Sequence, residues 1–267
     1  MKYAFMTFSC PELTLAELFE VAKRYGYDGI EPRIVEGHAH GIEWEASSSQ
    51  REAIRRQADE SGVALACLAT SCTYADPKTV DQNVEETRKS IDLASDVGAP
   101  CIRVFGGKIP EGIERADAID DLVKALSSVA EQAAERGVAV CLETHDDWCN
   151  PDHVAEVIRR VNNPAIAVNW DIMHPIRLGG ATMQSAFETL RPFVRHVHFH
   201  DGVTTGDKLD LVTIGEGQID HRTAVHLLME DGYKGYLSGE WIDWMPWETH
   251  LPRELAVMKG YEAEVGS

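Results

Sequence analysis

Short apolar and β-branched runs alternate along the chain with longer stretches in which apolar residues recur every three or four positions. These are the periods of strands and of amphipathic helices. The pattern predicts strands over 3–8, 28–33, 64–71, 101–106, 138–145, 166–174, 194–201 and 235–241, and helices over 15–25, 49–61, 84–97, 113–136, 152–161, 183–190, 220–229 and 249–261. Gly26, Gly62, Gly98, Gly137 and Gly232 each follow a helical run, where a left-handed capping residue is wanted. Pro151 or Asp152 opens the fifth helix, and Asp220 suits the cap of the seventh. Strict alternation makes each strand parallel to the next, and eight such units close naturally into a ring. The expected fold class is therefore α/β, a single (β/α)8 TIM barrel. An open doubly wound sheet is disfavoured because no GxGxxG turn follows the first strand. No Pro/Gly/Ser-rich linker divides the chain, so residues 1–267 are expected to form one TIM-barrel domain. The longest connections, 38–48 and 204–217, would fall on the carboxyl rim of the barrel, where active-site loops belong.

Side chains along a strand alternate faces, so parity sorts each strand into two sides. In VAVCLETH, Val138, Val140 and Leu142 oppose Cys141, Glu143 and His145. In IAVNWDIMH, Ile166, Val168, Trp170 and Ile172 oppose Asn169 and Asp171. In VRHVHFHD, Val197 and Phe199 oppose His196, His198 and His200, and in GYLSGEW, Leu237 and Trp241 oppose Ser238 and Glu240. Strands two and four place Glu31 with Arg33, and Arg103, on the same polar parity. Barrel interiors are normally filled by branched apolar side chains, and an unpaired buried ion costs several kcal/mol even after relaxation. So many ionisable groups need a compensating charge. A divalent cation held by Glu143, Asp171, His198 and Glu240 supplies it. Three carboxylates and an imidazole suit Mn²⁺, Mg²⁺ or Co²⁺, with Zn²⁺ also accommodated, and the lack of a cysteine ligand argues against a structural zinc site there.

The motifs ETH at 143–145, DIMH at 171–174, HVHFHD at 196–201 and GEW at 239–241 resemble those of the xylose isomerase-like barrels grouped as sugar phosphate isomerases/epimerases. That group includes ketose 3-epimerases, inosose dehydratases, hydroxypyruvate isomerases and endonuclease IV. In the ketose 3-epimerase branch Glu, Asp, His and Glu hold the metal, and these map onto Glu143, Asp171, His198 and Glu240. The resemblance makes the two glutamates the acid/base pair and His174, three residues after the Asp, a substrate-binding group. Two positions depart from the epimerase pattern: Cys149 stands where those enzymes place a Glu, and Thr204 where they place an Arg.

The chemistry expected of such a site is loss of a proton beside a carbonyl with metal stabilisation of the enediolate. Proton return to the opposite face epimerises, return to the adjacent carbon isomerises, and loss of a β-hydroxyl dehydrates. Glu143 and Glu240 are the candidate bases. His174, Arg103, His145, His200 and Glu31 are the candidate substrate contacts, with hydrogen bonding that steadies the ligands the rival role for His145 and His200. Glu31 and Arg33 have the rival reading of a mutual ion pair, His196 that of a core histidine, and GEG at 215–217 is read as a turn rather than a phosphate loop. Trp44, Trp148, Trp241, Trp244 and Trp247 are candidates for stacking on a sugar. For the last three, in the loop WIDWMPW, a subunit contact in a homo-oligomer competes.

Composition narrows the partners. With 44 acidic against 25 basic residues the net charge is −19, which repels phosphate backbones and anionic lipids, and no basic patch offsets it. Nucleic acid and membrane are excluded as expected partners, a small sugar or polyol remaining. A nuclease of the endonuclease IV kind would need further His and Glu ligands; a non-catalytic sugar-binding barrel would not need both candidate bases. The dehydratase, a lyase on a cyclic polyol or keto acid with the same metal, is the principal alternative to the isomerase or epimerase. Six cysteines without a CxxC pair, three of them in strand-like runs, read as reduced, buried thiols of a cytoplasmic protein. No signal-peptide segment is read at the start, and no apolar run approaches the roughly 20 residues that span a bilayer.

Overall fold

Backbone hydrogen bonding arranges the apolar runs as staves in a ring. In a computed structural model that describes residues 1–206 and 208–265, the chain forms β1 (Lys2–Met6), α1 (Leu15–Tyr25), β2 (Gly29–Glu31), α2 (Ser48–Ser61), β3 (Ala64–Leu65), β4 (Leu68–Ala69), α3 (Val80–Val97), β5 (Cys101–Val104), α4 (Arg115–Arg136), β6 (Ala139–Glu143) and α5 (Pro151–Val161). It continues through β7 (Ile166–Asp171), α6 (His174–Arg177), α7 (Met183–Leu190), β8 (Val194–Phe199), β9 (Asp201–Thr205), β10 (Lys208–Val212), α8 (His221–Glu230), β11 (Tyr236–Gly239) and α9 (Trp247–Val265). The large sheet runs β3-β2-β1-β11-β8-β7-β6-β5-β4, every pairing parallel. Its two ends are consecutive pieces of one stave, interrupted at Ala66 and Cys67, and a parallel bridge from Arg33 to Ala69 stitches the seam. The protein is thus the α/β barrel that the alternation predicts.

Local chemistry explains most boundaries. Thr14 and Ser47 open α1 and α2 with reciprocal capping boxes. Asn150 caps α5 ahead of Pro151, and Asp220 accepts from the Thr223 amide at α8. Gly26, Gly62, Gly98 and Gly137 close their helices at φ between 68° and 87°, a region where a Cβ would be strained.

The parity expected of the strands is the parity observed. Ile102, Val104, Val140, Leu142, Ile166, Val168 and Trp170 enter the apolar layer between sheet and helices. The opposite side chains point into the barrel, and low in its interior Cys67, Cys101, Cys141 and Ala167 form a separate buried cluster. One feature was not expected: the connection after the seventh stave is an antiparallel hairpin, β9 with β10, rather than an irregular loop.

Candidate metal centre

Glu143 ends β6, Asp171 ends β7, His198 is the fifth residue of β8, and Glu240 follows β11. These four staves are consecutive around the ring, so the four side chains form an arc with the two glutamates at its ends. One ligand atom from each lies within 4.8 Å of all the others. His198 Nδ1 is 3.2 Å from Glu143 Oε1 and 3.4 Å from Glu240 Oε2. Asp171 is turned by its neighbours: its Oδ1 accepts the Met173 and His174 amides at 2.7 and 3.1 Å, which leaves Oδ2 to face the site.

The donor set fits a divalent cation. Glu143, Asp171 and His198 are wholly buried. Glu143 Oε2 and Asp171 Oδ2 have no aligned hydrogen-bond donor, although Arg103 Nε and His200 Nε2 stand 3.2 and 2.9 Å from them. Burial opposes charge on His198, but Glu31, Glu143 and Glu240 around it outweigh burial and raise its pKa well above the usual histidine value. Burial likewise works to raise Glu240, and His198 beside it, with Arg103 and His200, brings it down to about 2. Asp171, against its burial held low by His200 and His174, and Glu240 thus stay ionised and demand positive charge; a cation beside them meets that demand and lets a neutral His198 Nδ1 serve as a ligand.

Above the arc lies a cavity of about 220 Å³ lined by His145, His174, His200, Leu209, Leu211, Glu240 and Ile242. At roughly 30 Å³ per water this is the room of about seven waters, a small-molecule volume. The three imidazoles pack edge to face, His145 on His174 at 4.5 Å and His174 on His200 at 5.6 Å between ring centroids. Burial opposes the charge of His145, but Asp146, 3.2 Å away, and Glu143 lift it to about 9. Burial holds His174 below its ordinary value.

His145, His174 and His200, expected as substrate contacts, border the cavity, and so does Glu240, expected as a ligand and base. Glu31 and Arg103 do not. Glu31 is wholly buried beneath His198, its Oε1 and Oε2 3.0 and 3.1 Å from His198 Nε2, and its Oε2 is 2.8 Å from His196 Nε2. Arg103, 1 % exposed, spans from Glu143 to the Thr70 carbonyl, which its Nη1 reaches at 2.8 Å, and lies over the Phe105 ring. Parity shows which way a side chain points but not how deep it sits, and neither of the two lines the cavity. Arg33 pairs with Glu36 at 2.6 Å rather than with Glu31. Trp241 is buried, stacked at 6.5 Å on Trp244, and Trp247 donates to Glu12, so the WIDWMPW tryptophans pack on their own chain. Cys149 is buried with its thiol on the Asp146 carbonyl, and Thr204 accepts from Arg177 Nε at 2.9 Å, tying the hairpin to α6. The apolar cavity wall, Leu209, Leu211 and Ile242, escaped sequence reasoning; the alternation of KLDLV was its only signal.

The model of a family described as "Xylose isomerase-like TIM barrel" matches residues 19–261. A 3-dehydroshikimate dehydratase of Bacillus anthracis is 24% identical over 216 residues, covering 78% of this chain and 74% of that one. The chain spans between 56% and 74% of the length of the curated relatives it matches. Among solved structures, a D-tagatose 3-epimerase-like protein is similar with TM-score 0.79 at 20% identity, covering 100% of this chain and 98% of that one. The IOLI protein with a binding zinc atom is similar with TM-score 0.80 at 17% identity, covering 99% and 98%. At these identities the structural likeness speaks for the fold.

Proposed function

The chain belongs to the xylose isomerase-like TIM barrel family, and from that premise we propose that it is a divalent-metal-dependent isomerase or epimerase of a small sugar or polyol, phosphorylated or not. The observation that carries this reading is the arc of Glu143, Asp171, His198 and Glu240, within 4.8 Å of one another, under a small cavity. The whole chain acts as one barrel, and six buried free thiols suit a reducing, cytoplasmic compartment.

Glu143, Asp171, His198 and Glu240 are the proposed ligands. Held there, a divalent cation (Mn²⁺, Mg²⁺, Co²⁺ or Zn²⁺) supplies Lewis-acid stabilisation of negative charge developing at a carbonyl oxygen. Glu240 borders the cavity and takes the proton from the carbon beside the carbonyl; Glu143, at the far end of the arc, is the second acid/base group. His174, His145 and His200 orient hydroxyls from one wall while Leu209, Leu211 and Ile242 exclude water from the other. Glu31 fixes the His198 ring through Nε2, and Arg103 holds Glu143, so both act through the ligands.

Dehydration is the second reading. It is favoured by the extent of the match to the 3-dehydroshikimate dehydratase, 78% of this chain, and by an apolar wall suited to a flattened, unsaturated product. The test is incubation of the metal-loaded protein with ketoses and inososes in deuterated water. Deuterium beside the carbonyl of recovered sugar supports the isomerase or epimerase, and an unsaturated product selects the dehydratase. Substantial turnover in both Glu143→Gln and Glu240→Gln would refute the assignment of the bases.

A further inference from the structure

We propose that Cys67, Cys101, Cys141 and His196 form a second metal site, for a thiophilic cation of the Zn²⁺ class, low in the barrel interior beneath the catalytic arc. Cys67 lies in the break between β3 and β4, Cys101 opens β5, Cys141 is the third residue of β6 and His196 the third of β8. The Cys67 and Cys101 sulfurs and a ring nitrogen of His196 lie within 4.8 Å of one another. Cys141 belongs to the same buried cluster. None of the four is more than 4 % exposed.

The histidine distinguishes this cluster from three thiols serving as small apolar fillers, the ordinary role of buried free cysteine. His196 Nε2 faces the Glu31 carboxylate at 2.8 Å, while its Nδ1 is buried with no hydrogen-bond partner among the described residues. A carboxylate on one ring nitrogen, with the other left to a metal, is the arrangement that orients a ligating imidazole. The thiols otherwise donate to backbone carbonyls, Cys101 Sγ to Ala66 at 3.4 Å and Cys67 Sγ to Leu68 at 3.7 Å. Barrel interiors usually carry bulky branched residues at such positions, and here three sulfurs and Ala167 take their place.

Cys141, a further member of the buried cluster, is the proposed fourth ligand, which would complete a closed tetrahedral set of three sulfurs and one nitrogen. With metal–sulfur bonds of about 2.3 Å, donors stand about 3.7 Å apart, so Cys67, Cys101 and His196, within 4.8 Å of one another, need only a small closure. A cavity of about 450 Å³ at the amino-terminal end of the barrel, lined in part by Ala66 and Cys101, gives access. Exposed Lys2, Arg195 and Lys234 line the same cavity; their charge favours thiolates and offsets the net negative charge of three thiolates around a divalent ion. Binding replaces up to three S–H protons, released to solvent, with no change of oxidation state. The ligands come from four staves, which is why no CxxC spacing announces them.

Chelator-stripped protein titrated with Co²⁺ tests this directly. Two equivalents should bind, and only one should produce thiolate-to-cobalt charge-transfer absorption, because the catalytic arc contains no sulfur. Cys101→Ser should abolish that absorption and reduce bound cobalt from two equivalents to one, with the circular dichroism spectrum unchanged. Cys67→Ser serves equally if the first variant does not fold, and Cys10→Ser should leave the band intact. Saturated, folded wild-type protein without a thiolate band overturns the proposal, as does a band that survives both Cys101→Ser and Cys67→Ser.

Discussion

Beneath His198, Glu31 turns a pleated position into a device for aiming a ring. By engaging Nε2 it directs Nδ1 toward Glu143 and Glu240. Loss of such a partner typically weakens metal affinity 10–100-fold. Glu31→Gln should therefore bind Mn²⁺ about 10–100-fold more weakly in a calorimetric titration while folding normally; unchanged affinity would remove Glu31 from the site. The two candidate bases should also part company. Glu240 borders the cavity, whereas Glu143 is fully buried against Arg103. Both Glu240→Gln and Glu143→Gln remove a ligand charge and should weaken metal binding, but in metal-saturated protein Glu240→Gln, at the cavity, is expected to cut kcat by about 10²–10⁴-fold and by more than Glu143→Gln, which paired kinetic and metal titrations would resolve. Parity alone put all these side chains inside the barrel, because strand period is a local property. Depth is set by the stagger of neighbouring staves, so Glu31 and Arg103 share the polar parity although they contact His198 and Glu143 rather than line the cavity.

At the scale of elements, the β9–β10 hairpin carries the difference between a generic barrel mouth and this one. Its root is Asp201, whose buried carboxylate accepts the amides of Gly202, Gly215, Gly217 and Ile219 at 2.8, 2.9, 3.1 and 3.2 Å. GEG at 215–217 is a turn, as its sequence suggests, and the anion it cradles is the protein's own. A Cβ on Gly217 would overlap the Asp201 carboxylate. Hydrogen bonds to a charged group are each worth about 1.5–3 kcal/mol, and an amide here would set its NH2 against backbone donors. Asp201→Asn should thus cost about 3 kcal/mol in urea unfolding, and a loss well under 1 kcal/mol would deny Asp201 this anchoring role. The far end of the hairpin supplies Leu209 and Leu211 to the cavity. Leu211→Ala should raise KM more than it lowers kcat, because it opens a wall without touching a base. The eight β/α units are legible from alternation because each is long enough to show a period. The hairpin strands are short, and the first, DGVTT, is polar and small, so 204–217 reads as a loop.

Across the whole molecule, charge is sorted along the barrel axis. Three carboxylates and His198 converge at the carboxyl end, and Lys2, Arg195 and Lys234 stand at the other. The ring closes through a stave broken at Cys67, and neither that break nor the meeting of cysteines from three staves is visible in linear spacing. Because the carboxylate arc exists only when four staves are assembled, a cation bound there stabilises the native state alone. Linkage gives about 2.7 kcal/mol at a concentration 100 times the Kd, and for a chain of this size each kcal/mol moves the melting midpoint by about 2 °C. Chelator-stripped protein should consequently melt about 5 °C below protein resupplied with Mn²⁺. Mn²⁺ favours oxygen donors, so this recovery reports the carboxylate arc and not the thiols. Asp171→Asn, which removes a ligand charge while the Met173 and His174 amides still hold the side chain, should lose most of the shift. A midpoint indifferent to Mn²⁺ in the wild-type protein would mean that the arc holds its charges without an ion, and the proposed chemistry would fall with it.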